Sequence, residues 1–107
     1  MDAMDQELNE LRREFLGEAR RKVDEMHAAV SEGMPTEGRE RIAYLAHQLK
    51  GSGGSYGFPP ISDQAVEIER IVNDTSASDA SAVEQKVSEL RAEIDRCVND
   101  LENIPMP

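Results

Sequence analysis

Apolar residues recur at spacings of three and four along four separate segments, and this periodicity is the feature that most restricts the fold. The longest apolar stripe consists of Met4, Leu8, Leu11, Phe15, Ala19, Val23, Met26 and Val30. Such spacings place side chains on one face of an α-helix, whereas a strand needs a spacing of two, which no segment shows. Short connections between the segments favour antiparallel neighbours. The sequence therefore predicts an all-α protein, an antiparallel up-and-down four-helix bundle.

Glycine and proline positions predict where the helices end. The first segment is expected to end at Gly33 and Pro35, because glycine can adopt the left-handed conformation of a helix C-terminus and proline cannot continue the helix. The other three helices are predicted at about residues 36–56, 60–73 and 81–102. Residues 1–30 are compatible with one long helix, or with an extra N-terminal helical turn separated from it at Gly17.

Length and charge indicate the class of protein and of partner. The 107 residues are expected to form a single domain, residues 1–107, around one core. There are 22 acidic and 12 basic side chains, and this net charge of −10 argues against nucleic acid and anionic membranes as partners. Cys97 is the single cysteine, and neither a leader-like N-terminus nor an apolar run long enough to span a bilayer is present. We therefore expect a cytoplasmic monomer.

The second segment has a composition that conflicts with its periodicity. Leu45 and Leu49 follow helical spacing, yet Gly51, Gly53 and Gly54 come directly after them. Each glycine inside a helix costs roughly 0.5–1 kcal/mol relative to alanine, so a helix that continues loses about 1.5–3 kcal/mol. We infer that another requirement offsets this loss.

Helical geometry divides the second segment into two faces. At about 100° per residue, the face opposite the apolar stripe consists of Glu40, Ala43, Tyr44, His47, Lys50, Gly51 and Gly54. His47 is therefore expected to point to solvent. The candidate partner-docking residues around it are Ala43, Tyr44, Gly51 and Gly54. Ser52 and Gly53 fall on the inner half of the helix, where small side chains allow a neighbouring helix to approach closely.

A motif lies within this segment. Residues 47–52 are His-Gln-Leu-Lys-Gly-Ser and are followed by Gly57, which matches the pattern H-x-L-K-G-S-x-x-x-x-G. This pattern resembles the signature of histidine-containing phosphotransfer (HPt) domains, over roughly residues 15–100. Phe58 and the pair Ile68-Glu69 are also similar to the amino-terminal phosphotransfer module of chemotaxis-type histidine kinases. The resemblance implies a four-helix bundle whose exposed histidine carries a phosphoryl group in two-component signalling.

The resemblance also implies roles for individual side chains. His47 would be phosphorylated, and Lys50, one helical turn later, would place its ammonium beside the phosphoryl oxygens. Glu69 would accept a hydrogen bond from Nδ1 of His47 and leave Nε2 free for phosphorylation, a role for which Glu67 is a weaker candidate. The partner would be a response-regulator receiver domain, a histidine kinase or both. The receiver would bind Mg²⁺, and this chain would bind no cofactor.

Other interpretations stay open at this point. The bundle could be a non-catalytic adaptor whose face around His47 docks a partner, or a phosphotransfer domain cut from a larger histidine kinase. An enzyme acting alone is disfavoured, because one nucleophile, one lysine and one carboxylate provide neither an ATP site nor a general acid–base pair. The glycines do not indicate a nucleotide site, since Lys50 precedes them, contrary to the order in a P-loop. No metal site is expected, since no second histidine or cysteine lies at metal-binding spacing from His27.

Overall fold

The computed structural model describes residues 3–74 and 80–103, with side chains from residue 5 onward. It contains four α-helices: α1 (Ala3–Ser31), α2 (Thr36–Ser55), α3 (Pro59–Asn73) and α4 (Ala80–Glu102). No strand occurs in these two ranges, so the predicted all-α class is confirmed. The ends of the predicted domain, 1–107, and the side chain of Met4 lie outside the described residues.

The first helix, α1, is continuous over 29 residues. Of the two predicted alternatives, the one with a separate N-terminal helical turn is therefore wrong. Gly17 does not interrupt it, because the apolar stripe continues on both sides, with Leu16 and Ala19 almost fully buried. Two residues of positive φ follow the helix, Gly33 at 88° and Met34 at 52°. Their backbone N–H groups donate to carbonyls in the last turn of α1 at 2.9 Å and 3.1 Å. The left-handed Gly33 was predicted, and the left-handed Met34 was not.

The helices follow one another around the bundle. Each packs against the next in sequence, and α1 closes the bundle by packing against α4. Arg20 of α1 pairs with Asp95 of α4, while Asp24, one turn later in α1, pairs with Arg91, one turn earlier in α4. The two helices therefore run in opposite directions. This order is that of the predicted up-and-down bundle.

One apolar face of every helix contributes to the core. The largest of its fully buried side chains are Leu16, Met26, Ile42, Leu49, Ile61, Ile68, Leu90 and Ile94. The prediction that the apolar stripe is buried is wrong at the start of α1, where Leu8 and Leu11 are 39% and 48% exposed. The buried apolar side chains of α1 begin at Phe15 and Leu16, although the polar Asn9 before them is also buried. In the part of the chain that the structure describes, no helix has both the length and the apolarity to cross a membrane.

Contacts from α1 hold the C-terminus of α2. Nε of Arg12 donates to the carbonyl of Tyr56 at 3.1 Å, which places a cation at the negative end of the helix dipole. Gly57 comes next with φ of 85°, a left-handed conformation that favours glycine. The ring of Phe15 stacks on those of Tyr56 and Phe58, at centroid distances of 5.0 Å and 5.9 Å. The last glycine of the motif therefore has a backbone role at the turn into α3.

Candidate functional site

The late glycines of α2 do not break the helix. The two predicted faces are present, since Leu49 is fully buried and the side chain of His47 is 64% exposed. Gly53 is buried, whereas Gly51 and Gly54 are exposed, and nothing lies within 4 Å of where their Cβ atoms would stand. Close packing therefore accounts for Gly53, but it does not account for the other two glycines.

His47 of α2 and Glu69 of α3 meet across the interface between these helices. Nδ1 of His47 lies 2.9 Å from Oε2 of Glu69. A carboxylate can only accept this hydrogen bond, so Nδ1 carries the proton. In the neutral ring, the lone pair is then on Nε2. The exposed imidazole thus offers an unprotonated nitrogen, and the contact that the resemblance implied is present.

The carboxylate of Glu69 also binds Lys50. Its Oε1 lies 3.3 Å from Nζ of Lys50, and the glutamate side chain is only 22% exposed. Partial burial opposes ionisation, but the hydrogen bonds from His47 and Lys50 outweigh it and lower the pKa of Glu69 below its ordinary value. Stabilisation from the ionised cluster is therefore present at neutral pH and is lost as the pH falls through this lowered pKa.

These three side chains combine the parts that nucleophilic attack on phosphorus requires. Nε2 of His47 can act as a nucleophile, the carboxylate of Glu69 is placed to fix its tautomer, and the positive charge of Lys50 lies one turn away. Among residues 3–74 and 80–103, no group of three His, Cys, Asp or Glu side chains is placed to hold a metal ion. The cluster therefore has the features that acceptance of a phosphoryl group requires.

The predicted docking residues around His47 differ in exposure. Tyr44 is 53% exposed, and its ring packs against the guanidinium of Arg41 at 5.3 Å from the centroid. Its hydroxyl accepts a hydrogen bond from Gln48 at 3.0 Å. Ala43 is half-buried and packs against the core, so it lies at the edge of this surface. Tyr44 is therefore the large side chain that is fixed in place beside the histidine.

The sequence left Glu67 as a weaker candidate for the partner of His47. In the structure, Oε2 of Glu67 accepts a hydrogen bond from Arg70 at 2.8 Å, one turn along the same helix. The carboxylate that contacts His47 is that of Glu69.

Comparison with protein families identifies the domain. The family model of the Hpt domain matches residues 10–102, a range that contains the motif, Glu69 and nearly all of the bundle. The chain belongs to the Hpt domain family. Hpt domains are phosphotransfer carriers of two-component signalling that interact with kinases and receiver domains and are not ATP-binding kinases. Comparisons with curated proteins and with solved structures found no match.

Two residues of this Hpt domain on the turns of α3 that precede Glu69 were missed by the sequence analysis. The hydroxyl of Ser62 donates to the carbonyl of Lys50 at 2.6 Å. Val66 is 41% exposed and lies on α3 one turn before Glu69. Val66 could have been recognised as an apolar residue outside the α3 stripe. Ser62 gave no signal of its own, because any exposed or half-buried helix position accepts serine.

Proposed function

We propose that this protein is a phosphorelay intermediate in which His47 accepts a phosphoryl group and exchanges it with a receiver-domain aspartate. The observation that supports this most strongly is the contact of 2.9 Å between Nδ1 of His47 and Oε2 of Glu69. It leaves the nucleophilic nitrogen unprotonated on a side chain that a partner can reach.

Atoms and charges balance in the transfer step without any further group on this chain. The Nε2 lone pair of His47 attacks the phosphorus of a phosphoaspartate, the N–P bond forms, and the P–O bond to the aspartate breaks. The aspartate leaves as a carboxylate. No proton has to move, because Nδ1 keeps its proton and the resulting phosphoimidazolium donates its hydrogen bond to Glu69. The reverse step returns the group to a receiver.

Lys50 acts on the charge of the phosphoryl group. Its ammonium is held 3.3 Å from Glu69 and one turn from His47, a place from which it can stabilise negative charge on the transferring oxygens. The receiver supplies the acidic pocket and Mg²⁺, and this chain binds no cofactor. If the chain belongs to a larger histidine kinase, the donor is that kinase's own catalytic domain.

The partner docks on the surface formed by Tyr44, Gly51 and Gly54, with Ala43 at its edge. Open space above the two glycines supports this, because it lets the loops of a receiver domain approach the imidazole. We place the protein in the cytoplasm as a monomer, and the free thiol of Cys97 suits a reducing compartment.

Incubation of the chain with a phosphorylated receiver domain, or with a histidine kinase and ATP, tests the proposed function. We expect phosphate on this chain that is lost in acid and stable in alkali, as is typical of a phosphorus–nitrogen bond. An adaptor would bind the same partners without becoming phosphorylated. Binding without phosphate transfer, seen with both classes of partner, would contradict the phosphorelay and support the adaptor.

Substitution of Glu69 by alanine should slow phosphorylation without abolishing it. The nucleophile remains, but its tautomer is no longer fixed. A charge-assisted hydrogen bond contributes about 1.5–3 kcal/mol, which corresponds to a rate roughly 10- to 150-fold lower. Glu67→Ala is the matched control, because this glutamate lies on the same helix and pairs with Arg70 instead. Equal rates for the two variants, measured as initial transfer from one receiver, would show that Glu69 has no part in the reaction.

A further inference from the structure

The helices α2 and α3 touch backbone to backbone close to the histidine. A Cβ atom added to Gly53 would stand 2.9 Å from the backbone nitrogen of Ser62 and 3.3 Å from its Cα. Apart from atoms of their own residue and its chain neighbours, real Cβ atoms essentially never come within 3.0 Å of another heavy atom. Because the obstacle is backbone and not the end of a flexible side chain, any residue larger than glycine has to push the two helices apart.

A hydrogen bond connects the same two helices at this point. Oγ of Ser62 donates to the carbonyl of Lys50 at 2.6 Å, and the bond is partly buried. Lys50 is also the residue whose ammonium binds Glu69. We call the pair Gly53 and Ser62 the interhelix clamp. The clamp therefore holds α2 at a residue that belongs to the phosphotransfer cluster.

The clamp and the carboxylate lie on one side of α3. Ser62 and Glu69 are separated by seven residues, which is close to two full turns and about 10 Å along the helix axis. Both residues contact α2, Ser62 at Lys50 and Glu69 at His47. A slide of one helix past the other by a single residue moves them by about 1.5 Å, which is enough to break a hydrogen bond whose normal range is about 2.7–3.2 Å.

We propose that the interhelix clamp positions Glu69 against Nδ1 of His47 and thereby selects the tautomer with the lone pair on Nε2. Gly53 and Ser62 are positioning residues in this account, since neither is in contact with the imidazole or with the phosphoryl group. This inference rests on the proposed function for its consequence in phosphotransfer. The tautomer itself can be measured without any partner.

The first test compares Gly53→Ala with Gly17→Ala. Both replace a glycine inside a helix, but a Cβ at Gly17 would meet only the end of the Arg21 side chain at 3.9 Å. Nitrogen-15 NMR of histidine-labelled protein reports which imidazole nitrogen of His47 carries the proton. We expect Nδ1–H in the wild type and in Gly17→Ala, and a mixture of tautomers in Gly53→Ala. Circular dichroism checks that the variants keep their helices.

The second test remains informative if Gly53→Ala fails to fold. Ser62→Ala removes the hydroxyl that bonds to Lys50, and Ser62→Thr restores a hydroxyl at the same position. Ser55→Ala is the control, because its hydroxyl also donates to a carbonyl of α2, that of Gly51 at 3.1 Å, but within its own helix. We expect the tautomer mixture and roughly 10-fold slower phosphorylation for Ser62→Ala, recovery for Ser62→Thr, and wild-type behaviour for Ser55→Ala.

The outcomes separate the clamp from the proposed function. If Gly53→Ala and Ser62→Ala both fold and both retain Nδ1–H, the clamp is overturned even if the wild type is phosphorylated. If Gly53→Ala does not fold, retention of Nδ1–H in Ser62→Ala alone overturns it. If Gly53→Ala and Ser62→Ala show the tautomer mixture but no partner phosphorylates the wild type, the clamp is supported as a structural device and the phosphorelay is contradicted. Slower transfer with an unchanged tautomer also overturns the clamp, because it shows that these residues act by another route.

Discussion

His47→Gln should abolish phosphorylation of the chain and leave the fold nearly unchanged. The nucleophile is lost, whereas the glutamine amide can still donate a hydrogen bond to Glu69. Because the His47 side chain is 64% exposed and outside the core, we expect a stability change within about 0.5 kcal/mol. In a domain of this size that is a shift in Tm of no more than about 4 °C. Phosphate incorporation and thermal melting measure the two effects on the same preparation.

The chain offers a matched control for this substitution, since its other histidine is His27 in α1. His27→Gln removes an imidazole of the same size and should keep wild-type phosphorylation. Phosphate that persists in the His47 variant would place the acceptor elsewhere on the chain. Collapse of the helical circular dichroism in that variant would show that His47 supports the fold, contrary to its exposure.

Substitutions at Gly51 should change stability and phosphotransfer in opposite directions. Gly51 is an exposed residue inside α2 with nothing within 4 Å of its Cβ position. Alanine there should stabilise the protein by about 0.5–1 kcal/mol, because it favours the helix and reduces the entropy of the unfolded chain. Glutamine is also a good helix former, but its side chain would stand one turn from His47 and block the approach of a receiver. We expect Gly51→Gln to slow transfer by roughly 10-fold or more.

The control for Gly51→Gln is Ser55→Gln, which places the same side chain on α2 one further turn from the histidine. Melting curves and initial rates of exchange with one receiver domain should be recorded for all three variants. Transfer at the wild-type rate in Gly51→Gln would show that no partner passes over this glycine. The proposal that a partner docks on the surface around Tyr44, Gly51 and Gly54 would then be wrong.

Much of the fold could be predicted from the sequence, because it depends on periodicity. The spacing of residues such as Ile42, Leu45 and Leu49 fixes which side of a helix is buried, whatever that helix packs against. The start of α1 could not be predicted in this way. Leu8 and Leu11 continue the apolar stripe, yet they are partly exposed, whereas the polar Asn9 between them is only 7% exposed. Periodicity predicts an apolar face but not what covers it.

Only part of the candidate site could be predicted from local sequence. The motif and the exposure of His47 follow from local sequence, whereas the pairing with Glu69 came from the resemblance to a family. Nothing in the spacing of 22 residues by itself shows that two side chains meet, because the contact depends on how α2 and α3 are docked. For the same reason, the bond from Ser62 to the backbone of Lys50 was missed. Small residues such as Gly53 predicted a close approach, but not its partner.

The most direct test of the central claim is to identify the nitrogen that carries phosphorus in the phosphorylated chain. Phosphorus-31 and nitrogen-15 NMR of the histidine-labelled protein, phosphorylated by a receiver domain or a kinase, distinguishes phosphorus on Nε2 from phosphorus on Nδ1. The account predicts a single phosphohistidine at His47, with phosphorus on Nε2 and a proton kept on Nδ1 by Glu69. Phosphorus on Nδ1 of His47, or on any other residue, would contradict it.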